Sequence, residues 1–392
     1  MPPTTADLRR FLVDAFSDEE LRTLCFDYFR DVYDAFSTGM TKTQMIQLVI
    51  ERCVRRDALA NLEAALRAER PEQYEKRLGP PVLVVIPAET TSTPGTPQPV
   101  RPVASPFAMP ADELPLGPIA FDWVTIPAGE FLMGSDKTRD EFADNEETPQ
   151  HTLNLPAYRI ARVPVTVEQF AVFTAANPGY RTTAEEQGSA WNWTGSKWDE
   201  IKGANWAHPL GPESDVRAKQ YHPVTCVSWH DALAFCKWAG VRLPTEAEWE
   251  KAASWAEGQG SGGAGGRKLL WPWGDREPNS GLCNFDMTVG DTTPVDRYPD
   301  GVSPYGLLDV AGNVCEWTSS LWGTERDKPE FGYSYDATDG RENLSAPGTV
   351  LRVVRGGSFG DVALNVRCAY RDSYSPDDRS VVFGFRVVSP GF

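Results

Sequence analysis

The stretch RLPTEAEWEKAA, residues 242–253, decides the fold of the long second part of this chain. Thr245 precedes Glu248 by three residues, the spacing at which a hydroxyl and a carboxylate each bond an otherwise unpaired amide at a helix start. Trp249 and Ala253 follow at four-residue spacing and share one apolar face. Ala252 lies on the same face, so the stretch predicts a short framework helix.

Two stretches near the C-terminus predict strands of one sheet. RVVRGGSF (352–359) is a short apolar run that ends in a glycine pair suited to a turn, and GFRVV (384–388) follows later. Phe383, Phe385 and Val387 alternate with other residues, as expected of a half-buried strand. We expect this last strand to lie beside RVVR.

The chain from residue 119 onward mixes short strands with few helices. It is rich in Trp, Gly and Pro, and helical spacing of apolar residues recurs only at 165–176, 229–239 and 245–256. No repeat with a period of about 20 to 50 residues is present, which disfavours solenoids and propellers. We expect an α+β domain over residues 119–392.

Residues 1–78 predict a separate, small all-α domain. Apolar residues recur there at three- and four-residue spacing, and Ser17 with Glu20 forms a capping box at one helix start. Residues 79–118 carry 11 of the 32 prolines of the chain, interleaved with Thr, Ser and Ala. This composition predicts a Pro-rich extended linker between two domains.

Charge and cysteine content exclude several classes of function. The net charge of -17 repels nucleic-acid backbones and anionic lipid headgroups. No apolar run approaches the roughly 18 to 20 residues of a membrane span, and acids interrupt the start where a signal peptide needs an apolar run, so we expect a cytoplasmic protein. The seven cysteines are odd in number and form no CxxC pair, which predicts buried structural thiols.

Further motifs make a family resemblance specific. In chain order they are VTIPAGEFLMGS (124–135), HPVTCVSWHDALAFCKWAG (222–240), WPWGD (271–275) and SPYGLLDVAGNVCEWTSS (303–320). With the stretches above, they resemble the formylglycine-generating-enzyme (sulfatase-modifying factor) type of protein over nearly all of residues 120–389. The resemblance implies a C-type lectin-like fold of the formylglycine-generating-enzyme type for residues 119–392.

The N-terminal domain resembles a second family. FSDEELRTLCFDYF (16–29) and LANLEAALRAERPEQY (59–74) are similar to the effector-associated, death-like helical domains of bacterial conflict and signalling proteins. The resemblance implies that residues 1–78 dock onto an effector protein that carries a similar helical domain. A generic helical domain without an adaptor role is the alternative.

The resemblance to formylglycine-generating enzymes implies which metal ligands a catalytic member needs, and this chain lacks them. Formylglycine formation needs two closely placed thiols that bind copper, and in the family these follow the GGS turn. Here residues 356–358 are followed by no cysteine until Cys368, and one thiolate cannot form that copper site. Related sulfoxide synthases use three histidines to bind iron, but the four histidines here lack the spacing. We expect no copper, no iron and no catalytic residue; a metal oxidase with relocated ligands is the alternative.

The stretch DVAGNVCEW (309–317) resembles a calcium loop of the same family. All its matching ligands are hard oxygens, which calcium prefers. A metal-free turn held by Asn313 is the alternative, and a second family site would start at Asn284. The implied ligands of the structural calcium are the side chains of Asp309 and Glu316 and the carbonyls of Gly312 and Val314.

Residues 359–383 resemble the variable region of diversity-generating retroelement proteins, in which the adenines of AAC or AAT codons are randomised. Such codons cannot become Glu, Gln, Lys, Met or Trp. These five types make up 65 of the 392 residues, so about four would be expected in a window of 25, and none occurs. The constant residues implied between the varied ones are Arg367, Tyr370, Arg371, Pro376 and Arg379.

The varied positions mix aromatic and aliphatic side chains with Ser, Asp and Gly, which is typical of an adaptable binding surface. Trp317 and Trp322 are candidates for its walls. We expect a non-catalytic protein that binds a protein or other ligand through this surface and binds no nucleic acid. An inactive lectin-like adaptor with a fixed ligand is the alternative. The predicted ligand-binding residues are Phe359, Gly360, Asp361, Val362, Leu364, Asp372, Ser373, Tyr374, Ser375, Asp378, Ser380, Val381 and Val382.

Overall fold

A computed structural model of the chain forms two compact units, Met1–Pro106 and Phe107–Phe392. No helix among the residues that the structure describes is both long and apolar enough to cross a membrane. The residues described are 5–28, 41–55, 62, 65–67, 69–78, 119–194, 197–258 and 265–390. The predicted linker, residues 79–118, lies outside them.

The described part of the first unit is helical, as predicted. Phe11, Ile46 and Tyr74 lie in its apolar core, and each is almost fully buried. The predicted capping box is confirmed, because the Glu20 amide donates to Ser17 Oγ (3.2 Å) and the Ser17 amide donates to Glu20 Oε2 (2.8 Å). The helices are α1 (Thr5–Ala15), α2 (Asp18–Tyr28), α3 (Lys42–Arg55) and α4 (Pro71–Leu78).

The second unit is mixed, which confirms the α+β expectation. Its helices are α5 (Val167–Ala176), α6 (Thr183–Gln187), α7 (Trp229–Ala239) and α8 (Glu246–Ser254). Its strands are β1 (Trp123–Ile126), β2 (Gly129–Met133), β3 (His151–Leu155), β4 (Tyr158–Ala161), β5 (Ser189–Trp193), β6 (Trp198–Lys202), β7 (Trp255–Glu257), β8 (Gly266–Lys268), β9 (Cys315–Gly323), β10 (Leu351–Arg355), β11 (Arg371–Tyr374) and β12 (Phe383–Gly384).

The main sheet has the strand order β11-β10-β9-β12, with β12 parallel to β9 and the other pairs antiparallel. The prediction that the last strand lies beside RVVR was wrong, because both edges of that strand, β10, are already paired. The half-buried pattern was wrong as well. Phe385 and Val387 are fully buried, and so is Arg386 between them, because Glu316 neutralises its charge inside the core.

Four two-stranded antiparallel pairs surround this sheet: β1-β4, β2-β3, β5-β6 and β7-β8. Helices α5 and α7 pack together through stacked aromatic rings, with Phe170 and Phe235 centroids 5.9 Å apart. Phe385 packs edge-on against Phe235 at 5.3 Å, so the last part of the chain completes this core. The hairpin β5-β6 lies alongside the C-terminal segment through a bridge between Trp191 and Ser380.

Helix α8 starts as predicted, because the Glu248 amide donates to Thr245 Oγ1 (3.1 Å) and the Thr245 amide donates to Glu248 Oε2 (2.9 Å). As predicted, Trp249, Ala252 and Ala253 lie together in one buried apolar cluster, and the other residues of this helix are buried as well. Arg355 donates to both Glu246 and Glu250 from β10, at 3.0 and 2.5 Å. The buried carboxylates are therefore stabilised by buried cations, as internal charges require.

Candidate ligand-binding site

A cavity of about 360 Å³ lies where the C-terminal segment meets the β5-β6 hairpin. This volume falls in the range of roughly 300 to 1,000 Å³ that is usual for small-ligand sites. Its walls come from the hairpin, the start of β9, the loop after β9, and the segment between β10 and β12. The lining residues are Trp191, Trp198, Cys315, Arg326, Ser358, Gly360, Asp361, Tyr374, Asp378, Ser380, Val382 and Phe383.

The cavity contains about half of the residues predicted to bind ligand. Phe359 and Val381 are buried in the hydrophobic core instead, and Ser373 is buried on β11 while its neighbour Tyr374 faces the cavity. The predicted residues that line the cavity are Gly360, Asp361, Tyr374, Asp378, Ser380 and Val382. Those that do not are Phe359, Val362, Leu364, Asp372, Ser373, Ser375 and Val381.

The arginines predicted to be constant anchor the segment through buried ion pairs. Arg367 donates to Glu147 through two nitrogens, both at 2.7 Å, and to Asp140 at 2.6 Å. Arg371 forms a bidentate pair with Glu246 at 2.7 and 2.8 Å. None of these two arginines and three carboxylates lines the cavity. The residues that anchor the segment are therefore different from the residues that line the cavity.

Arg379 and the β5 backbone fix the other end of the segment. Its guanidinium donates to the Ser189 carbonyl (3.0 Å) and to Glu200 (3.0 Å). The Trp191 amide donates to the Arg379 carbonyl at 2.9 Å, and the Val381 amide returns a bond to the Trp191 carbonyl at 3.0 Å. The hairpin and the segment therefore form one continuous wall.

Two tryptophans line the cavity, but not the two that the sequence suggested. Trp317 is fully buried with its indole N–H donating to the Val227 carbonyl, and Trp322 is almost fully buried. The suggestion that these two wall the site was therefore wrong. Trp191 and Trp198 line it instead, and they keep 38% and 41% of their surface exposed.

Asp361 and Cys315 form the inner polar part of the cavity. The Ser358 hydroxyl and amide donate to Asp361 Oδ2 at 2.6 and 2.9 Å, and Cys315 Sγ lies 3.5 Å from the same oxygen. Burial raises the pKa of Asp361, although the bonds from Ser358 oppose the rise. Burial also raises the pKa of the Cys315 thiol well above its usual value, and the Asp361 charge raises it further. A thiol whose pKa is raised in this way is a poor nucleophile at neutral pH.

Arg326 and Asp378 occupy the outer part. Arg326 donates to both oxygens of Asp372 at 3.0 and 3.2 Å, and its guanidinium lies 4.4 Å from the centre of the Tyr374 ring. Asp378 Oδ2 accepts from the Ser375 amide at 3.0 Å. Burial raises the pKa of Asp378, while the Ser375 amide opposes the rise.

The remaining described cysteines and the histidines serve structure. Cys25, Cys226, Cys236, Cys283 and Cys368 are free and buried, as predicted. Burial raises the pKa of Cys368 to about 12. No group of three or more His, Cys, Asp or Glu in the described part of the chain could hold a metal ion.

Two histidines that flank the loop before α7 have local partners. His222 Nδ1 lies 2.9 Å from Thr292 Oγ1, and burial lowers the pKa of its ring. His230 Nε2 lies 3.5 Å from Asp377 Oδ1 at the surface. These contacts agree with a structural role for both rings.

The side-chain surroundings of Glu316 and Asp309 differ in how well they suit the implied calcium ion. Glu316 does not fit, because its oxygens accept from Arg386 at 2.6 and 2.7 Å and from Trp249 Nε1 at 2.7 Å. Asp309 fits better: burial raises its pKa to about 8, although Asn313 Nδ2 donates to it at 3.0 Å. The Gly312 carbonyl accepts from the Val314 amide.

Asn284 adds a hard oxygen to the same place. Its Nδ2 donates to Asn313 Oδ1 at 3.2 Å, so Asp309 and Asn284 both contact the Asn313 side chain. Asn284 Oδ1 is buried and has no hydrogen-bond partner among the described residues. An uncompensated oxygen and a nearby buried carboxyl suit a hard cation. The calcium site stays a prediction, now resting on Asp309 and Asn284 rather than on Glu316.

Comparison with known proteins gives matches for both units. Residues 118–390 match the model of the sulfatase-modifying factor enzyme 1-like domain, and residues 8–71 match that of effector-associated domain 7. The formylglycine-generating enzyme of Streptomyces coelicolor is 36% identical over 300 residues, which cover 68% of this chain and 88% of that protein.

Two further proteins are similar over the same region. The hercynine oxygenase of Mycolicibacterium smegmatis is 32% identical over 276 residues, which cover 67% of this chain and 60% of that enzyme. Among solved structures, Treponema denticola variable protein 1 is 23% identical, with a TM-score of 0.46, and the match covers 71% of this chain and 99% of that one.

Proposed function

The chain belongs to the sulfatase-modifying factor enzyme 1-like family through residues 118–390, and from this premise we propose that it is a non-catalytic ligand-binding protein. The composition of the cavity supports the proposal. One cysteine, Cys315, and no histidine stand among its lining residues. Formylglycine formation as implied by the resemblance needs two thiols, and Cys315 is held protonated by burial and by the adjacent Asp361.

The single observation that carries the proposal is the separation of anchoring from lining residues. Arg367, Arg371 and Arg379 hold the segment 359–383 by ion pairs to distant parts of the unit. The six predicted positions that line the cavity take no part in those pairs. A backbone held in this way can accept many side chains at the lining positions, which is the property that a diversified binding surface requires.

Randomisation of the lining positions tests this proposal directly. In one library Gly360, Tyr374, Asp378 and Ser380 receive codons with random first and second bases and a pyrimidine at the third. In the matched library the same codons replace Arg367, Arg371 and Arg379. We expect most members of the first library, and few of the second, to fold as judged by soluble expression and resistance to protease. Equal tolerance in the two libraries would contradict a separation of anchors from lining.

Natural variation supplies the second test. We propose that the gene is diversified by a retroelement at codons within 359–383. Deep sequencing of the gene from a population, with its near-identical template repeat, should show substitutions confined to template adenines. A uniform sequence without a template repeat would favour the inactive lectin-like adaptor with a fixed ligand.

A second candidate function is a metal oxidase, favoured by the 36% identity to the formylglycine-generating enzyme of Streptomyces coelicolor. This candidate predicts stoichiometric copper or iron in the protein as purified and oxidation of a cysteine-containing peptide. We expect no stoichiometric copper or iron in the purified protein, and no peptide oxidation after reconstitution with copper, because Cys315 is the one thiol in the cavity lining. Peptide oxidation that is lost in Cys315→Ser would establish the oxidase instead.

We further propose that the first unit couples the binding surface to an effector protein. Residues 8–71 match effector-associated domain 7. A pull-down with residues 1–78 should therefore recover a protein that bears a similar helical domain. A partner that is recovered equally well by residues 119–392 would argue against docking through the first unit.

A further inference from the structure

Two of the aromatic rings that line the cavity are exposed to solvent. Trp191 and Trp198 keep 38% and 41% of their surface exposed. The Trp191 backbone is hydrogen-bonded to the backbone of Arg379 and Val381, and the Trp198 ring packs edge-on against Trp193 at 5.9 Å. The fixed backbone at Trp191 and the ring contact at Trp198 reduce the entropy that is lost when a ligand covers these rings.

Neither carboxylate of the cavity is in ion-pair contact with a cation among the described residues, although the charges of Arg379 and Arg326 oppose the rise in the pKa of Asp378. Neither Asp361 nor Asp378 forms an ion pair there, and the three hydrogen bonds to Asp361 all reach Oδ2. The one bond to Asp378 likewise reaches Oδ2. Each carboxylate therefore keeps its Oδ1 without a hydrogen bond in the described part of the chain.

The single cation of the lining does not neutralise these groups. Arg326 is bound by both oxygens of Asp372 and stacks on Tyr374, so its charge and its flat face are both engaged. Arg326 forms its ion pair with Asp372 and contacts neither Asp361 nor Asp378, although its charge lowers the pKa of Asp378. The lining thus holds two carboxylates and one cation beside two tryptophan rings and one tyrosine ring. The cavity is thus anionic and aromatic at the same time.

This chemistry discriminates among ligands. An anion would meet two like charges, and a neutral apolar group would desolvate both carboxylates without compensation. A metal ion is disfavoured by the side chains, since no metal-holding group of three occurs among the described His, Cys, Asp and Glu. An organic cation gains both from the carboxylates and from the negative faces of the rings.

We infer that the cavity takes an organic cation, an alkylammonium or guanidinium group, between the two exposed tryptophan rings and the carboxylates of Asp361 and Asp378. The inference rests on the proposed binding function and names its ligand class. The cation can belong to a Lys or Arg side chain of a protein ligand or to a free small molecule. Both sources present the same chemistry to the cavity.

Calorimetry on the full chain tests this inference with two pairs of probes. The small pair is N-propylguanidinium and its neutral counterpart N-propylurea. The peptide pair is acetyl-Gly-Arg-Gly-amide and the same peptide with citrulline in place of arginine. We expect each charged probe to bind at least about tenfold tighter than its neutral counterpart. Tight binding of the peptide alone supports a protein ligand, and equal binding of both charged probes supports a free cation.

Three variants locate the effect. Asp361→Asn and Asp378→Asn should each weaken the charged probe about tenfold and leave the neutral one unchanged. Asn retains an oxygen for the bonds from Ser358 and Ser375, so both variants keep the local hydrogen bonds, and an unchanged melting temperature verifies this. Asp377→Asn is the matched control, because Asp377 lies on the same segment, exposed and outside the cavity lining.

The outcomes separate this inference from the function on which it rests. Equal binding of charged and neutral probes would overturn the organic cation and leave a binding cavity in place. Undiminished binding in the Asp361→Asn, Asp378→Asn double variant would overturn it too. Failure of every probe would reject the cation as ligand, while the library and sequencing experiments would still decide whether the surface is a diversified binding site.

Discussion

Replacement of Arg367 by Met measures how strongly the anchors hold the C-terminal segment. The Arg367 side chain is 1% exposed, and it forms ion pairs with both Glu147 and Asp140, whose side chains are 1% and 5% exposed. Methionine preserves much of the volume but leaves both carboxylates buried without their cation. Breaking a buried pair in this way destabilises a protein by about 3 to 5 kcal/mol. For a unit of this size we expect a melting temperature lower by roughly 6 to 20 °C.

Urea denaturation followed by tryptophan fluorescence is the assay. All 13 tryptophans lie between residues 123 and 322, so the signal reports on the second unit alone. With a slope of about 3 kcal/mol per molar urea, the midpoint should fall by about 1 to 2 M. The slope itself should stay the same if the native state remains compact.

Asp378→Asn is the control from the cavity lining. Asparagine keeps an acceptor for the Ser375 amide and removes a carboxylate that burial already disfavours. We expect a change of less than about 1 kcal/mol in the free energy of unfolding. If Arg367→Met shifted the midpoint no more than Asp378→Asn, the reasoning that the arginines anchor the segment independently of its lining would be refuted.

The remaining predictions concern the glycines, the calcium site and the pH dependence of binding. Gly360→Ala should leave stability unchanged, because its Cβ would meet Trp198, Val382 and Met287 at ordinary distances of 3.5 to 3.7 Å. Gly357→Ala should destabilise the protein by about 1 to 3 kcal/mol, because φ is 65° there and the Cβ would lie 2.7 Å from the Asn365 carbonyl oxygen. Similar melting temperatures for the two variants would contradict this prediction. Calcium should raise the melting temperature of the wild type but not that of Asp309→Asn. The increase should grow from pH 6 to pH 9, because calcium must displace the proton from a carboxyl whose pKa is about 8. An increase that is unaffected by Asp309→Asn would place the ion elsewhere. Affinity for N-propylguanidinium should rise with pH above the ordinary carboxyl pKa of about 4, because burial raises the pKa values of Asp361 and Asp378 and only their ionised forms attract the cation. A constant affinity from that pH up to neutral pH, measured by calorimetry, would exclude their ionisation as the cause.

Local features of the structure followed closely from the sequence. Helix α7 has the predicted bounds, and the hydroxyl and carboxylate pairs at Ser17 and Thr245 cap their helices as expected. These features depend on residues within four positions of each other, so the sequence contains all the atoms that decide them. The family and the α+β class could be predicted for a related reason. Each motif that carries the family resemblance corresponds to one such local structure, and the motifs occur in the expected order along the chain.

Part of the candidate site followed from the sequence as well. The composition of residues 359–383 identified a segment that supplies seven of the twelve lining residues, and the family resemblance identified the arginines that anchor it. It failed to separate Tyr374 from Ser373, because which side of β11 faces the cavity depends on its pairing with β10. It also failed to find Trp191 and Trp198, which lie more than 150 residues before the segment in the chain.

The sequence by itself determined the family, the two-unit organisation, several helix starts and the segment that we propose to be diversified. Only the tertiary structure decided how the strands pair, which side chains share a cavity and which charges are paired. Glu316 shows the physical reason: as a sequence motif it resembles a calcium ligand, but Arg386, 70 residues later, occupies both of its oxygens. A carboxylate pairs with whichever cation the fold places next to it. The separation of two residues along the chain does not indicate whether the fold brings them into contact.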